Sequence, residues 1–133
     1  MGELLDDYRA RGSRGSPLGE TDVEVFKLFG EVYPKAYESG GLTARTKELM
    51  ALGLAVLRNC DDCVTYHLIR IRDENGTRRE VHETLALLLI VGGSALIPSL
   101  RRAAFVWQEL EAERAPTTPF AQPEAEASEM PRN

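Results

Sequence analysis

An all-α fold is predicted by three features of this sequence. Apolar residues recur at three- and four-residue spacing through each long segment, caps and breakers fall between those segments, and no segment alternates apolar and polar residues as a strand does. The Asn75-Gly76 pair lies between two helical patterns rather than between two alternating runs. The expected architecture is a compact bundle of about five to six helices.

The first helical pattern runs from Thr21 to about Ser39, with Val25, Phe26, Leu28, Phe29, Val32, Tyr33 and Tyr37 at helical spacing. Pro34 lies inside it and is expected to kink or divide it, and Gly40-Gly41 ends it. Thr43 caps the next helix, which carries Leu49, Leu52, Ala55 and Val56 on one stripe and ends near Asn59. A further helix begins near Cys60 or Asp61 and stops at Asn75-Gly76. Thr77-Arg78-Arg79-Glu80 fits a capping box that opens a helix through Val91. The last helix starts between Ala95 and Ser99 and reaches Arg114.

At 133 residues the chain fits one domain, and 43% hydrophobic content supplies a real core. We divide it into an N-terminal segment (1–16), a helical domain (17–114) and a tail (115–133). The tail holds four prolines, several Glu and Ala and one aromatic residue, Phe120; it reads as disordered or surface-draped. Arg11–Pro17 is a similar break near the other end, so the folded unit is expected to lie between the two. A net charge of −5 and 7% aromatic residues argue against nucleic acid as a partner. Thr84–Leu100 carries no charge over 17 residues, which is short of the ~20 needed to cross a bilayer, and Gly92-Gly93-Ser94 and Pro98 interrupt it. No membrane partner is expected. The N-terminal residues do not read as a secretory signal, and two cysteines are too few for a disulfide scaffold, so the expected compartment is a reducing cytoplasm.

Both cysteines fall in Cys60-Asp61-Asp62-Cys63-Val64-Thr65-Tyr66-His67. With Cys60 at a helix start, Cys60, Cys63 and His67 project from one face at successive turns. This spacing suits redox chemistry. A Cys-x-x-Cys pair can close into a disulfide with little backbone movement, and the helix dipole favours a thiolate near its start. A histidine one turn on can take the thiol proton. Asp61 and Asp62 oppose this, since negative charge raises a neighbouring thiol's pKa. They are expected to point away from the sulfurs or to serve one of them by a hydrogen bond. Glu48, taken alone, reads as a solvated helix glutamate beside an apolar run.

Glu48, eleven residues, Cys60-x-x-Cys63, three residues and His67 together resemble the signature of alkylhydroperoxidase D-like proteins in the carboxymuconolactone decarboxylase superfamily. Thr46-Lys47-Glu48-Leu49 opening an apolar helix and the break at Gly92-Gly93 agree with it, and the resemblance covers about Leu18 to Leu110. It implies a helical protomer that forms a homo-oligomer, a trimer or hexamer, and a thiol peroxidase or disulfide-linked reductase. Cys63 would attack a hydroperoxide, and His67, helped by Glu48, would take its proton. Cys60 would resolve the sulfenic acid into a Cys60–Cys63 disulfide, which a dithiol donor, thioredoxin or lipoyl-type, then reduces. The implied catalytic set is Cys63, Cys60, His67 and Glu48, with no cofactor and no metal. One position departs from the pattern: well-studied peroxidases of the family carry a second histidine just before the second cysteine, where this chain has Asp62.

Thioredoxin-like sites use the first cysteine instead, which leaves Cys60 as the alternative nucleophile. A dithiol–disulfide oxidoreductase acting on a protein or lipoyl-type partner would use every residue named, and a non-enzymatic helical assembly protein is a third reading. A zinc site of Cys60, Cys63, His67 and Glu48 or Asp62 lacks the second ligand pair common in structural sites. His82 and the arginines at 70, 72, 78, 79, 101 and 102 read as helix surface, Phe105 and Trp107 as core or subunit contact, and Tyr66 as either site entrance or packing. The apolar excess in Leu85–Leu100 points independently to a surface buried between subunits.

Overall fold

The computed structural model describes residues 2–114, and the expectation for the tail lies outside them. Among the described residues there are six α-helices and two short 3-10 turns: α1 (Glu3–Gly12), α2 (Glu24–Ala36), α3 (Ala44–Leu57), α4 (Asp61–Asp73), α5 (Arg78–Gly92) and α6 (Ile97–Arg114). The turns occupy Pro17–Glu20 and Ser94–Leu96. No described residue is in a strand, and the all-α expectation holds.

The caps are those the local chemistry requires. The Thr43 side chain accepts the Thr46 amide at the start of α3, and Thr77 and Glu80 form a complete capping box on α5. The α4 C-terminus resolves more finely than the sequence indicated. Asn75 takes the left-handed conformation (φ 60°), while the Gly76 amide donates to the Ile71 carbonyl at 2.8 Å. A β-carbon on Gly76 would stand 2.2 Å from the Ile71 side chain, so here glycine is needed for close approach rather than for its dihedral freedom. In α2, Pro34 sits close enough to the C-terminus that the helix continues past it to Ala36.

α3 and α4 form the most extensive helix pair, with α5 and α6 packed across them. The core they share includes Leu52 and Val56 of α3, Leu68 and Ile71 of α4, Leu85 of α5 and Trp107 and Leu110 of α6. Burying this apolar surface is the main source of stability.

Residues 3–12 differ from the expectation that the folded unit begins after the Arg11–Pro17 break. They form α1, whose Leu5 is fully buried in the same core. The Leu4 and Leu5 amides donate to the Glu109 carboxylate at 3.2 and 2.9 Å, so a side chain of α6 satisfies the open amides of α1. Glu113 of α6 receives Arg9 and, at 2.8 Å, Arg72 of α4. The Arg9 hydrogen bond holds the Glu113 carboxyl below its ordinary range, so this tie acts at neutral pH and is lost as pH falls through the depressed value. A sustained apolar stripe is absent from so short and charged a helix, which is why the sequence pattern did not signal its docking. Leu5→Ala is expected to lower the unfolding free energy by about 2–5 kcal/mol in a urea titration; an unchanged midpoint would mean that α1 does not pack as described.

α2 behaves in the opposite way. It is strongly amphipathic, yet none of its residues is buried, and Val25, Phe26, Leu28, Phe29 and Val32 stay exposed. Leu87, Ile90 and Val91 of the apolar α5 stretch are exposed too.

Candidate functional site

The site is built where α3 hands over to α4. Asn59 adopts a left-handed conformation (φ 55°), its amide donates to Val56 at 3.0 Å, and the Cys60 amide donates to Ala55 at 3.1 Å. This closes α3 with a Schellman motif. Cys60 then serves as the N-cap of α4, its Sγ accepting the Cys63 amide at 3.3 Å. The chain thus reverses in three residues and leaves both cysteines at the positive end of α4. Cys60 and Cys63 are joined as a disulfide with Cα atoms 5.2 Å apart, a separation that fits a bridge without backbone movement. Cys63 is exposed and Cys60 half-buried.

One turn beyond Cys63, His67 turns into the protein and is 8% exposed. Its Nδ1 lies 2.7 Å from Glu48 Oε2, and Glu48, only 2% exposed, reaches it from the neighbouring turn of α3. An ionised carboxylate can only accept, so Nδ1 donates to it, and in the neutral imidazole this places the lone pair on Nε2. Glu48 Oε1 is 3.7 Å from Arg70 Nε, which supplies the second compensation a buried carboxylate needs. Glu48 is therefore not the solvated helix glutamate that its own position in the sequence indicated. The resemblance paired it with His67, and the two do meet.

Three tyrosines surround this pair. The Tyr66 ring meets the His67 ring edge-on at 5.1 Å, and Tyr37, the C-cap of α2, lies 6.0 Å from the same ring. The Tyr33 hydroxyl donates to the Tyr37 hydroxyl at 3.3 Å. Burial first, and then that bond, push the Tyr33 phenol above its ordinary value, so it stays protonated through the physiological range. Tyr33, Tyr37, Tyr66, Glu48, Arg70 and Glu74 line a cavity of about 450 Å³. Tyr33 and Tyr37 were visible in the sequence only as part of the α2 apolar stripe, and Arg70 only as one of several surface arginines. Their i, i+4 spacing and the Arg70 position one turn after His67 were the available signals.

Both aspartates between the cysteines are paired with arginine. Asp62 Oδ1 accepts from Arg11 of α1 at 2.6 Å, and Asp61 Oδ2 lies 3.6 Å from Arg102 Nε of α6. Each carboxylate that opposes a thiolate here therefore faces a guanidinium. Among the described residues no three His, Cys, Asp or Glu side chains converge as a ligand set.

Comparison with known proteins follows the same outline. The sequence profile of the Carboxymuconolactone decarboxylase family matches residues 24–105. An uncharacterized protein of Cupriavidus necator is 37% identical over 76 residues, which is 57% of this chain and 67% of the relative. Among solved structures, a carboxymuconolactone decarboxylase family protein of Thermotoga maritima, for which a part in the antioxidative response has been suggested, is 38% identical with a TM-score of 0.66; the match covers 71% of this chain and 97% of that one. A family protein of Legionella pneumophila in its apo form shares the fold, with a TM-score of 0.73 at 24% identity over 80% of this chain and 96% of its own. The protein, with its Cys-x-x-Cys motif at the start of α4, belongs to the carboxymuconolactone decarboxylase family.

Proposed function

We propose that this protein is a thiol-dependent peroxidase that reduces hydroperoxides through a Cys60–Cys63 dithiol/disulfide cycle. The observation that carries the reading is the joining of two elements: a disulfide-forming pair at a helix N-terminus, and a buried Glu48–His67 pair one turn along the same helix. The antioxidative role suggested for the Thermotoga relative supports it.

In the reduced protein, the exposed Cys63 is the accessible sulfur. His67 Nε2 takes the Cys63 proton, and Glu48 stabilises the imidazolium that forms. The thiolate attacks the distal peroxide oxygen, the O–O bond breaks, and the leaving alkoxide takes the proton back as alcohol. Cys63 is then a sulfenic acid. The Cys60 thiol displaces its hydroxyl as water and closes the disulfide. A dithiol donor of thioredoxin or lipoyl type returns the pair to two thiols and becomes a disulfide itself. A reducing cytoplasm is the compartment that sustains such a cycle.

The hydrogen bond from the Cys63 amide to Cys60 Sγ stabilises charge on the first cysteine instead, and this favours a second reading, a dithiol–disulfide oxidoreductase attacking through Cys60. One assay separates them. The purified chain with a hydroperoxide and excess dithiol is expected to consume peroxide over many turnovers, one dithiol oxidised per peroxide. Failure to exceed the uncatalysed rate would end the peroxidase reading, and reduction of a protein disulfide in the same preparation would establish the other.

The oligomer belongs to the same proposal. The exposed apolar face of α2, the exposed Leu87, Ile90 and Val91 of α5, and an apolar groove of about 390 Å³ lined by Met50, Leu54, Leu57 and Leu87 are surface of the kind that contacts between subunits cover. A trimer or hexamer is expected by light scattering at micromolar concentration; a mass near 14.8 kDa, that of one chain, would contradict it.

A further inference from the structure

We infer that Arg11 is a positioning residue that sets the acidity of the Cys63 thiol by neutralising Asp62. The inference rests on the redox reading of the Cys60–Cys63 pair, but it concerns a residue of α1, outside the 24–105 span that matches the family.

Asp62 immediately precedes Cys63 and is fixed with it in the first turn of α4. A lone carboxylate there disfavours a thiolate and cancels part of what the helix N-terminus provides. Arg11 Nη2 reaches Asp62 Oδ1 at 2.6 Å, and Asp7 on the previous turn of α1 pairs with the same guanidinium. α1 is held in place for this by Leu5 in the core and by its ties to Glu109 and Glu113, so the guanidinium is presented by a docked helix. Tyr8 completes that side: its hydroxyl pKa is raised by partial burial and then by the Asp62 charge, so it stands there as a neutral phenol. From α6, Arg102 offsets Asp61. Further along α4, the Tyr66 ring meets His67, whose Nδ1 is paired with the buried Glu48 of α3. Arg11 is the cation paired directly with Asp62, and losing it leaves the carboxylate that precedes Cys63 in the first turn of α4 without that counter-charge.

The test follows alkylation of the reduced full-length protein by iodoacetamide against pH, with each cysteine quantified by mass spectrometry. Arg11→Gln is expected to shift the Cys63 profile upward by about half a pH unit, making neutral-pH alkylation roughly three-fold slower. The rates should converge above the thiol's titration. Arg11→Lys should retain most of the wild-type rate, and Arg11→Gln with Asp62→Asn should return to it or exceed it. The Arg11→Gln effect should also shrink at ~1 M salt, because the pair is exposed and screened. An unchanged profile in Arg11→Gln would overturn the inference. So would equal slowing in the double variant, or slowing that persists where the thiol is fully ionised, since either would mark a packing effect of α1. Alkylation needs no peroxide turnover, so failure here and failure of the peroxidase assay are separate results.

Discussion

Cys63→Ser is expected to abolish peroxide turnover, and Cys60→Ser to leave a sulfenic acid on Cys63. The two sulfurs are bonded in the structure, but their surroundings differ. Cys63 is exposed and lies one turn from His67, whereas Cys60 is half-buried, caps α4 and lies two turns from the imidazole. A hydroperoxide in solvent meets Cys63 first, and the base that would activate a thiol is nearer to it. A hydroxyl in place of the Cys63 thiol is a far poorer nucleophile at neutral pH, so turnover should fall to the uncatalysed rate. Without Cys60 the chemistry should stop one step later. One peroxide is consumed per chain, no water is eliminated, and the product is trapped by a sulfenic-acid reagent on Cys63. A sulfenic acid trapped on Cys60 of Cys63→Ser, with none formed on Cys63 of Cys60→Ser, would reverse the assignment.

Glu48→Gln and His67→Ala are expected to slow thiolate chemistry near neutral pH by roughly 10²-fold, the usual scale of a lost general base. Glu48 accepts from His67 Nδ1 and so leaves Nε2 free as a base. A glutamine amide in its place donates as readily as it accepts, and it has no charge to stabilise the imidazolium. Both variants should move the reactive thiol's alkylation profile to higher pH, with rates converging once the thiol is fully ionised. They should part company in stability. His67→Ala leaves a carboxylate that is 2% exposed with Arg70 at 3.7 Å as its compensation, and breaking a buried pair from one side costs about 3–5 kcal/mol. Glu48→Gln removes the charge itself and should cost much less. Alkylation profiles identical to wild type in both variants would remove the Glu48–His67 pair from the mechanism.

Much of the fold could be read in advance because its signals are local. Thr43, the Thr77–Glu80 box and the stripe of Leu52, Ala55 and Val56 each act within one or two turns of chain. What could not be read depends on contacts between distant segments. Leu5 has no periodic neighbours to announce its burial; it is buried because Glu109 and Glu113, a hundred residues away, receive the polar groups of α1. The site divides along the same line. Cys60, Cys63 and His67 are spaced by one helix and were legible as a unit. Glu48 alone misled, since a glutamate beside an apolar run is normally solvated, and only the resemblance joined it to His67. Tyr33, Tyr37, Arg70 and Arg11 arrive from other helices or other turns, where a sequence pattern carries no information about what they will face. Asn59 belongs to an intermediate class. Its left-handed conformation ends α3 and places Cys60, a role that asparagine can fill but that its position alone did not declare.

The measurement that bears most directly on the central claim is intact mass with thiol counting on the reduced protein, before and after one equivalent of hydrogen peroxide. The expected result is two free thiols falling to zero with a loss of two hydrogens and no added oxygen, which requires that one sulfur be oxidised and the other close the bond. Two thiols that remain after exposure, or a protein that purifies with a metal held by them, would contradict the account.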